Sequence, residues 1–509
     1  MINRIPAAPW LLCALLLGAC GGGGHGTFIA TLPPAPSTPT GLAASSITGS
    51  GVTLSWSAAT DSGGPGIGGY YVFRNGNTTL PIAIVTTGTS YSDAILIPGT
   101  TYTYAIAAFD LTAPTPVLSG LSAPLSVTTT GAVPTNVLPV MVDTGPAGLV
   151  NTNQIAFNTL YATVTLCTPG STTACQQIDH VQVDTGSVGL QIMAEVLNGA
   201  AAPQPLPDPG SGNPLRKCVQ FADGYDWGSM VVADVQIAGR TLASLPVHLI
   251  GDPAAGSAPA DCVSGPAVST VARFGANGVL GIGSLLQDCG PACVTTAQPA
   301  SYYACPGNVC SATTVALTDQ LQNPIALFPS DNNGVVVSLP SVSAPSALSA
   351  TGALYFGIGT QADNALGAAQ LLTVDPASGT LTTTYGGVAT AGSHIDSGAS
   401  GYLVTDNSLA VCAHAYDSSF YCPATSAART ATIQGQNGVM KPVSFTVDNA
   451  DQLFSIYAAA FPNLAGLNAG TGVTPGSFDW GLPFFFNRTV YVLFAGQTVS
   501  GTTGPAVGF

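Results

Sequence analysis

The chain has 509 residues, 46% of them hydrophobic and only 6% charged, with a formal net charge of −15. That length holds more than one domain, and the hydrophobic share excludes a disordered chain. Nine basic residues against 24 acidic ones argue against nucleic acid as a partner, and they suit either work at acidic pH or a merely acidic surface.

From the N-terminus, Arg4 precedes an apolar run from Trp10 to Leu17 and the tetrad Leu17-Gly18-Ala19-Cys20. The run is too short to span a bilayer, so residues 1–19 read as a leader. Its pattern is that of a bacterial lipoprotein signal, which implies cleavage before Cys20, acylation of that cysteine, and the membrane as a partner through this anchor. Gly21 after the cysteine favours, by family analogy, the outer membrane of a bacterial cell envelope. Residues 20–36 are Gly-rich and then Pro-rich, a tether without an apolar period.

Residues 37–130 alternate apolar and polar in short runs, Gly51 to Trp56, Gly69 to Arg74 and Tyr102 to Ala108, around a lone tryptophan. Such runs suggest a β-sandwich. Leu96-Ile97-Pro98-Gly99-Thr100-Thr101-Tyr102 resembles the tyrosine-corner turn of fibronectin type III modules, and Pro39-Thr40-Gly41-Leu42 and Leu121-Ser122-Ala123-Pro124-Leu125 fit the ends of one. The resemblance implies that Trp56 and Tyr102 are core and corner residues. The module then serves as a spacer or as a docking surface for a protein or glycan. Residues 131–150, with Pro134, Pro139 and Pro146, form a linker or the first outer strand of a large domain over 151–509.

In that domain two stretches repeat one plan. Val181-Gln182-Val183-Asp184-Thr185-Gly186-Ser187 and His394-Ile395-Asp396-Ser397-Gly398-Ala399-Ser400 each place Asp-Thr/Ser-Gly after an apolar-rich strand. Two carboxylates side by side cannot both ionise cheaply, so they share one proton, one acting as base and the other as acid. The Thr185 and Ser397 side chains are suited to bonding across between the loops, and Gly186 and Gly398 permit the tight turns. Asp143-Thr144-Gly145 carries the same tripeptide but runs at once into Pro146, with no continuing strand, and reads as a decoy. Leu160 to Leu166 and Ile178 to Val183 form a hairpin that delivers Asp184. Phe221 to Met230 is an aromatic, Gly-broken turn entering a second hairpin. Phe274 to Gly283 and Phe478 to Phe486 each set apolar residues before a glycine, in the first and second half respectively.

These landmarks, in this order, resemble a pepsin-type aspartic peptidase with one aspartate per lobe. The resemblance implies an all-β, bilobal domain in which Asp184 and Asp396 are the catalytic pair, supported by Thr185, Gly186, Ser187, Ser397 and Gly398. It also implies a flap tyrosine at Tyr225 and bracing-loop glycines at Gly281 and Gly481, with closing strands from Asn487 to Phe494 and from Ala506 to Phe509. The Cys167-Thr168-Pro169-Gly170 hairpin and the Asp184-Thr185-Gly186-Ser187 turn resemble, more closely, a bacterial lipoprotein family of unknown function. The chain departs from the pepsin pattern in three places. Gln191 stands where a flap-bonding tryptophan is usual, Ala399 replaces the second-lobe hydroxyl, and Asp226 and Trp227 occupy flap positions where small residues are commoner. No basic segment of the kind that masks pepsin-like zymogens is evident.

Of twelve cysteines, ten fall in the large domain, and the close spacings Cys167/Cys175, Cys289/Cys293, Cys305/Cys310 and Cys412/Cys422 read as small disulfide loops. The pairing itself stays open. Zinc is the competing reading for Cys289 to Cys310, but with no histidine nearby no metal or other cofactor is expected. His180 and His394 precede the aspartates with the same parity but lack a serine or cysteine partner, which favours structural roles. The reading as a whole is a tethered aspartic endopeptidase acting on peptide or protein substrates. The alternative is a catalytically inactive pepsin-like surface module for binding or assembly.

Overall fold

The computed structural model describes residues 4–6 and 34–509, apart from 50, 75–80, 95, 97, 113–115, 132–134, 151–153, 222–223, 308, 415–417 and 469–473. Cys20 and nearly all of the leader and tether therefore lie outside the described residues. The short strand Arg4–Pro6 is described, antiparallel to Gln154–Ala156. Two compact units are present, one over residues 7–134 and the other built mainly of residues 135–509.

The smaller unit is a β-sandwich. One sheet joins Thr40–Ser45, Gly51–Ser57 and Ser90–Ala94; the other runs Ala83–Val85, Ile67–Arg74, Thr101–Asp110, Leu125–Thr128. Alternation buries Val52, Leu54 and Trp56 from one sheet against Tyr70, Val72, Tyr104 and Ile106 from the other. Trp56 meets the Tyr70 ring edge-on at 5.4 Å, and Tyr102 is buried as well. A buried ion pair, Arg74 Nη1 to Asp93 Oδ2 at 2.9 Å, takes a further hydrogen bond from the Tyr104 hydroxyl at 2.7 Å. This is the fibronectin III-like sandwich that the residues suggested.

The larger unit is built twice over. In its first half the strand Cys175–Asp184 runs parallel to Gly278–Ile282, which is antiparallel to Val188–Met193, itself parallel to Arg240–Ile250. In its second half Val388–Ile395 runs parallel to Asp479–Trp480, which is antiparallel to Tyr402–Leu403, itself parallel to Ala465–Gly466. In both halves a later strand is inserted between the strand entering an aspartate turn and the strand leaving it. The turn is thereby held on both sides by backbone pairing. A sheet shared by the two halves carries, in order, Leu160–Cys167, Val137–Val142, Ala350–Phe356, Gly334–Leu339, Arg488–Leu493, Ala506–Gly508 and Leu371–Thr373. The interval 131–150 thus contributes a strand to the middle of this sheet, between Leu160–Cys167 and Ala350–Phe356. The architecture is all-β, bilobal and pepsin-like.

The core follows the strand alternation. Leu190, Ile192, Val231, Val247, Leu280 and Ile282 fill the first lobe; in the second, Phe478 stacks on Trp480 at 3.9 Å with Tyr402, Phe445 and Phe484 around them. The Trp480 indole N–H donates to Thr383 Oγ1 at 3.1 Å, so the ring is buried without an orphaned donor. Four of the five disulfides join the closely spaced cysteines, Cys167–Cys175, Cys289–Cys293, Cys305–Cys310 and Cys412–Cys422, and the fifth joins Cys218 to Cys262. The decoy aspartate has a structural use. Asp143 Oδ1 accepts from the Gly145 amide at 2.9 Å while Oδ2 meets His180 Nε2 at 3.2 Å. Burial alone would lower the His180 pKa, but its bonds to Asp143 and Asp179 raise it to about 10, which makes it a structural cation.

Candidate active site

The two Asp-Thr/Ser-Gly turns meet at the junction of the lobes. The Thr185 hydroxyl donates to the Ile395 carbonyl at 2.9 Å and accepts from the Ser397 amide at 2.9 Å. Reciprocally, the Ser397 hydroxyl donates to the Val183 carbonyl at 2.8 Å and accepts from the Thr185 amide at 3.1 Å. Both hydroxyls are buried, and each both donates and accepts. Gln182 adds a fifth cross-lobe bond, its amide donating to the Gly398 carbonyl at 2.9 Å.

This crossing presses each carboxylate against the glycine of the opposite turn. A Cβ on Gly186 would lie 2.6 Å from Asp396 Cγ, and one on Gly398 would lie 2.6 Å from Asp184 Oδ1. Only glycine permits that approach. Gly281 and Gly481 fit in the same way, since a Cβ would meet the Val188 amide nitrogen at 2.6 Å and the Gly401 carbonyl at 2.2 Å respectively. Asp184 and Asp396 are half-buried, and Gly186 is exposed, so solvent reaches the pair.

The two carboxylates are not equivalent. Asp184 accepts from the Gly186 amide on Oδ1 at 2.7 Å and from the Ser187 hydroxyl on Oδ2 at 2.5 Å. Asp396 accepts from the Gly398 amide at 2.7 Å, and Ala399 supplies no hydroxyl corresponding to Ser187. Burial, then the charges of Asp184 and Asp479, then the hydrogen bond shared with Asp184, hold the Asp396 pKa well above the usual carboxylate range against the Gly398 amide. Asp396 is thus the member of the pair pushed toward its protonated form, and the two titrate as a unit.

Behind Asp396 lies a third carboxylate. Asp479 stands in register with His394, two residues before Asp396; at the corresponding first-lobe place Val279 stands in register with Gln182. Burial and the charge of Asp184 push Asp479 up to about 7, and burial, partly opposed by Asp184, lowers His394. Sequence reading passed over Asp479. Aligning the strand before Gly481 with the strand before Gly281 would have exposed it as an acid set opposite a valine.

The flap hairpin joins Leu215–Phe221 to Gly224–Ile237, with Gln220 opposite Tyr225. Tyr225 is half-buried and packs beside Trp227 and the Cys218–Cys262 disulfide. Its amide donates to the Pro266 carbonyl at 3.2 Å, and its carbonyl accepts from the Val268 amide at 2.8 Å. Trp227 sits edge-on to Tyr303 at 5.4 Å. The hairpin is therefore bound to the 251–268 segment, and the described contacts of Tyr225 are with that packing rather than with either aspartate. Gln191 does not replace a flap-bonding tryptophan in function: its Oε1 meets His248 Nδ1 at 2.9 Å. On that face Asp226 is fully buried, 3.7 Å from His248 Nδ1, and burial, only partly offset by Lys217 and the Val219 amide, pushes it up to about 8. Burial and then the Lys217 charge pull His248 down to about 3. Lys217 itself is taken by Asp288 at 2.6 Å.

Three surface cavities are described in the second lobe, the first of about 600 Å³ beside Tyr385, Asp406 and Arg429, and none of the three is lined by Asp184 or Asp396. Among the described residues, one group has metal-ligand spacing, Cys412, Cys422 and Asp451, but its two sulfurs are joined in a disulfide and offer no thiolate. No helix among the described residues is long and apolar enough to cross a membrane.

Two expectations follow. Ala399→Ser would give Asp396 the hydroxyl donor that Asp184 already has, so the upper apparent pKa of the pair should fall, as read by carboxyl-carbon NMR titration of labelled aspartate; an unchanged titration would refute the asymmetry. Asp226 keeps its proton in the fold up to about 8, whereas an unfolded aspartate releases it near 4. Stability is then lost as pH rises between those values. Asp226→Asn should raise the melting temperature, by an increment that grows from pH 4 to pH 8, in thermal scans.

Comparison with known proteins divides along the same boundary. In its N-terminal region the chain is similar to Exoglucanase B of Cellulomonas fimi, 45% identical over 95 residues, which is 19% of this chain and 8% of that protein. Chitinase 63 of Streptomyces plicatus is 46% identical over 99 residues, 19% of this chain and 14% of that protein. The chain thus spans only a small part of the curated relatives it matches. Among solved structures it is similar to an aspartic proteinase from Irpex lacteus, with 17% identity and a TM-score of 0.40, covering 73% of this chain and 96% of that one. The fold assignment rests on the strand topology. Residues 132–509 match the family described as "Protein of unknown function (DUF3443)", and the chain belongs to that family.

Proposed function

We propose that the large domain is an aspartic endopeptidase that hydrolyses peptide bonds with water activated between Asp184 and Asp396. The observation that carries this reading is the pair itself: two half-buried carboxylates, cross-braced by Thr185 and Ser397, one of them holding a proton well above its ordinary range. Asp184 takes a proton from the attacking water, Asp396 gives its proton to the scissile carbonyl oxygen, and the amine leaves after a further proton transfer. The Gly186 amide and the Ser187 hydroxyl hold the Asp184 carboxylate in place. No cofactor enters this scheme.

A second reading has a specific observation in its favour. The flap hairpin is tied by Cys218–Cys262 and by backbone pairing to the 251–268 segment, and Tyr225 packs there. A hairpin whose described residues are held there, and not against the aspartates, suits a surface module that holds a peptide or assembly partner without cutting it. Cleavage of a peptide library between about pH 3 and pH 7, the range over which a shared-proton pair works, separates the two. The peptidase reading expects activity blocked by a statine-type inhibitor and lowered at least about a thousandfold in Asp184→Asn. A folded wild type silent across that range would leave the binding module.

The location we propose is the bacterial cell envelope, with the protein anchored by lipid at Cys20 and the sandwich acting as spacer or as a dock for protein or glycan. The likeness of the N-terminal region to fibronectin III-like domains of an exoglucanase and a chitinase supports an extracytoplasmic setting by analogy alone. Cys20→Ser should move the protein from the membrane fraction to the soluble fraction; retention on the membrane would sink the anchor.

A further inference from the structure

The two lobes differ most in what flanks their aspartates. On each strand the residue two before the aspartate lies on the aspartate's own face, about 7 Å away, and its register partner on the neighbouring strand lies about 5 Å to the side. In the first lobe these two residues are Gln182 and Val279. Gln182 spends its amide on the Gly398 carbonyl, and Val279 is apolar. In the second lobe they are His394 and Asp479. On the peptidase reading, an extended peptide lying over the two turns would bring the side chains on either side of its scissile bond toward one pair each.

Asp479 is incompletely satisfied. Its Oδ1 is shut off from solvent without a hydrogen-bond partner, although the residue as a whole is only half-buried. Among the described residues, the groups around it do not supply a cation. Asp184 and Asp396 are acids, and burial keeps His394 from protonating readily. Leu403, opposite Asp479 on the antiparallel strand, is apolar. A buried carboxylate without a partner is costly, whereas an arriving ammonium or guanidinium would both neutralise it and donate to it.

Resting on the peptidase reading of this site, we infer that Asp479 selects a cationic side chain, Lys or Arg, in the substrate residue that flanks the scissile bond on the second-lobe side. The first-lobe side, faced by Gln182 and Val279, takes a neutral side chain. The acid therefore acts on specificity and not on bond breaking. Its contribution grows as pH rises toward about 7, where Asp479 ionises.

Statine-type peptides differing only by Lys or norleucine at each flanking position, titrated calorimetrically onto the full chain, test this without requiring turnover. Lys should be preferred over norleucine about tenfold, the size of a charge-assisted hydrogen bond, at one flanking position only. The ratio should fall to about one in both Asp479→Val and Asp479→Asn, and in wild type it should grow between pH 5 and pH 7. Equal affinity for the two peptides, a preference that survives Asp479→Val, or no binding by a folded protein would overturn the inference. A Lys preference that disappears in the variants, without cleavage of matching peptides, would sink the peptidase reading and support the cation site.

Discussion

Everything at the lobe junction depends on one constraint, the reciprocal bonding of Thr185 and Ser397. Two full negative charges about 4 Å apart, at an effective dielectric near 20, repel by about 4 kcal/mol. The four bonds of the cross, at about 1 kcal/mol each net, would scarcely balance that. The arrangement is stable because one proton removes most of the repulsion. The cross then has only to fix geometry, which it does by leaving neither hydroxyl an alternative partner. Its bonds run to backbone groups of the opposite turn, so the lobes cannot shift relative to each other without breaking several bonds at once. The third carboxylate adds to the bias, because its charge makes a second ionisation at Asp396 harder.

The scaffold is built on the same plan in both lobes, and the chemistry is not. The inserted strands, the paired glycines Gly281 and Gly481, and the crossing hydroxyls obey the repeat. Three features break it: Ser187 against Ala399, Gln182 with Val279 against His394 with Asp479, and the Tyr225 hairpin in the first lobe. The first two lie within three residues of a carboxylate or on the strand paired beside it. The parts that set backbone geometry keep a glycine or a hydroxyl at the same place in both lobes, while the parts that set charge differ.

What the sequence made legible follows the same division. The two turns could be read because the geometry demands Asp-Thr/Ser-Gly and admits little else, and the alternation of Cys175–Asp184 gave the strand that delivers one of them. Trp56 and Tyr102 could be placed in the sandwich core for a similar reason. Contacts between distant segments could not be read. Cys218–Cys262 spans 44 residues and has no local spacing signal, unlike the four short loops. Likewise, nothing local ties Gln191 to His248, or Leu321 to Gly189, where a Cβ would lie 2.6 Å from that leucine's own Cβ. The strand Val137–Val142 carries Pro139, which argues locally against a place within a sheet, yet the shared sheet accommodates it.

The buried pair Asp226 and His248 limits the conditions in which this fold is most stable. Asp226 holds its proton up to about 8, so the fold loses stability as pH rises from near 4 toward that value. His248 stays neutral down to about 3, so stability is lost in the other direction, as pH falls from near 6.5 toward that value. The two losses oppose each other, and the least combined cost falls in mildly acidic solution. That is also where a carboxylate pair sharing one proton is singly ionised. With 24 acidic residues against nine basic ones, partial protonation there relieves net repulsion while breaking few ion pairs. The stability of the fold and the protonation state of its two central aspartates therefore favour the same side of neutrality, for independent reasons.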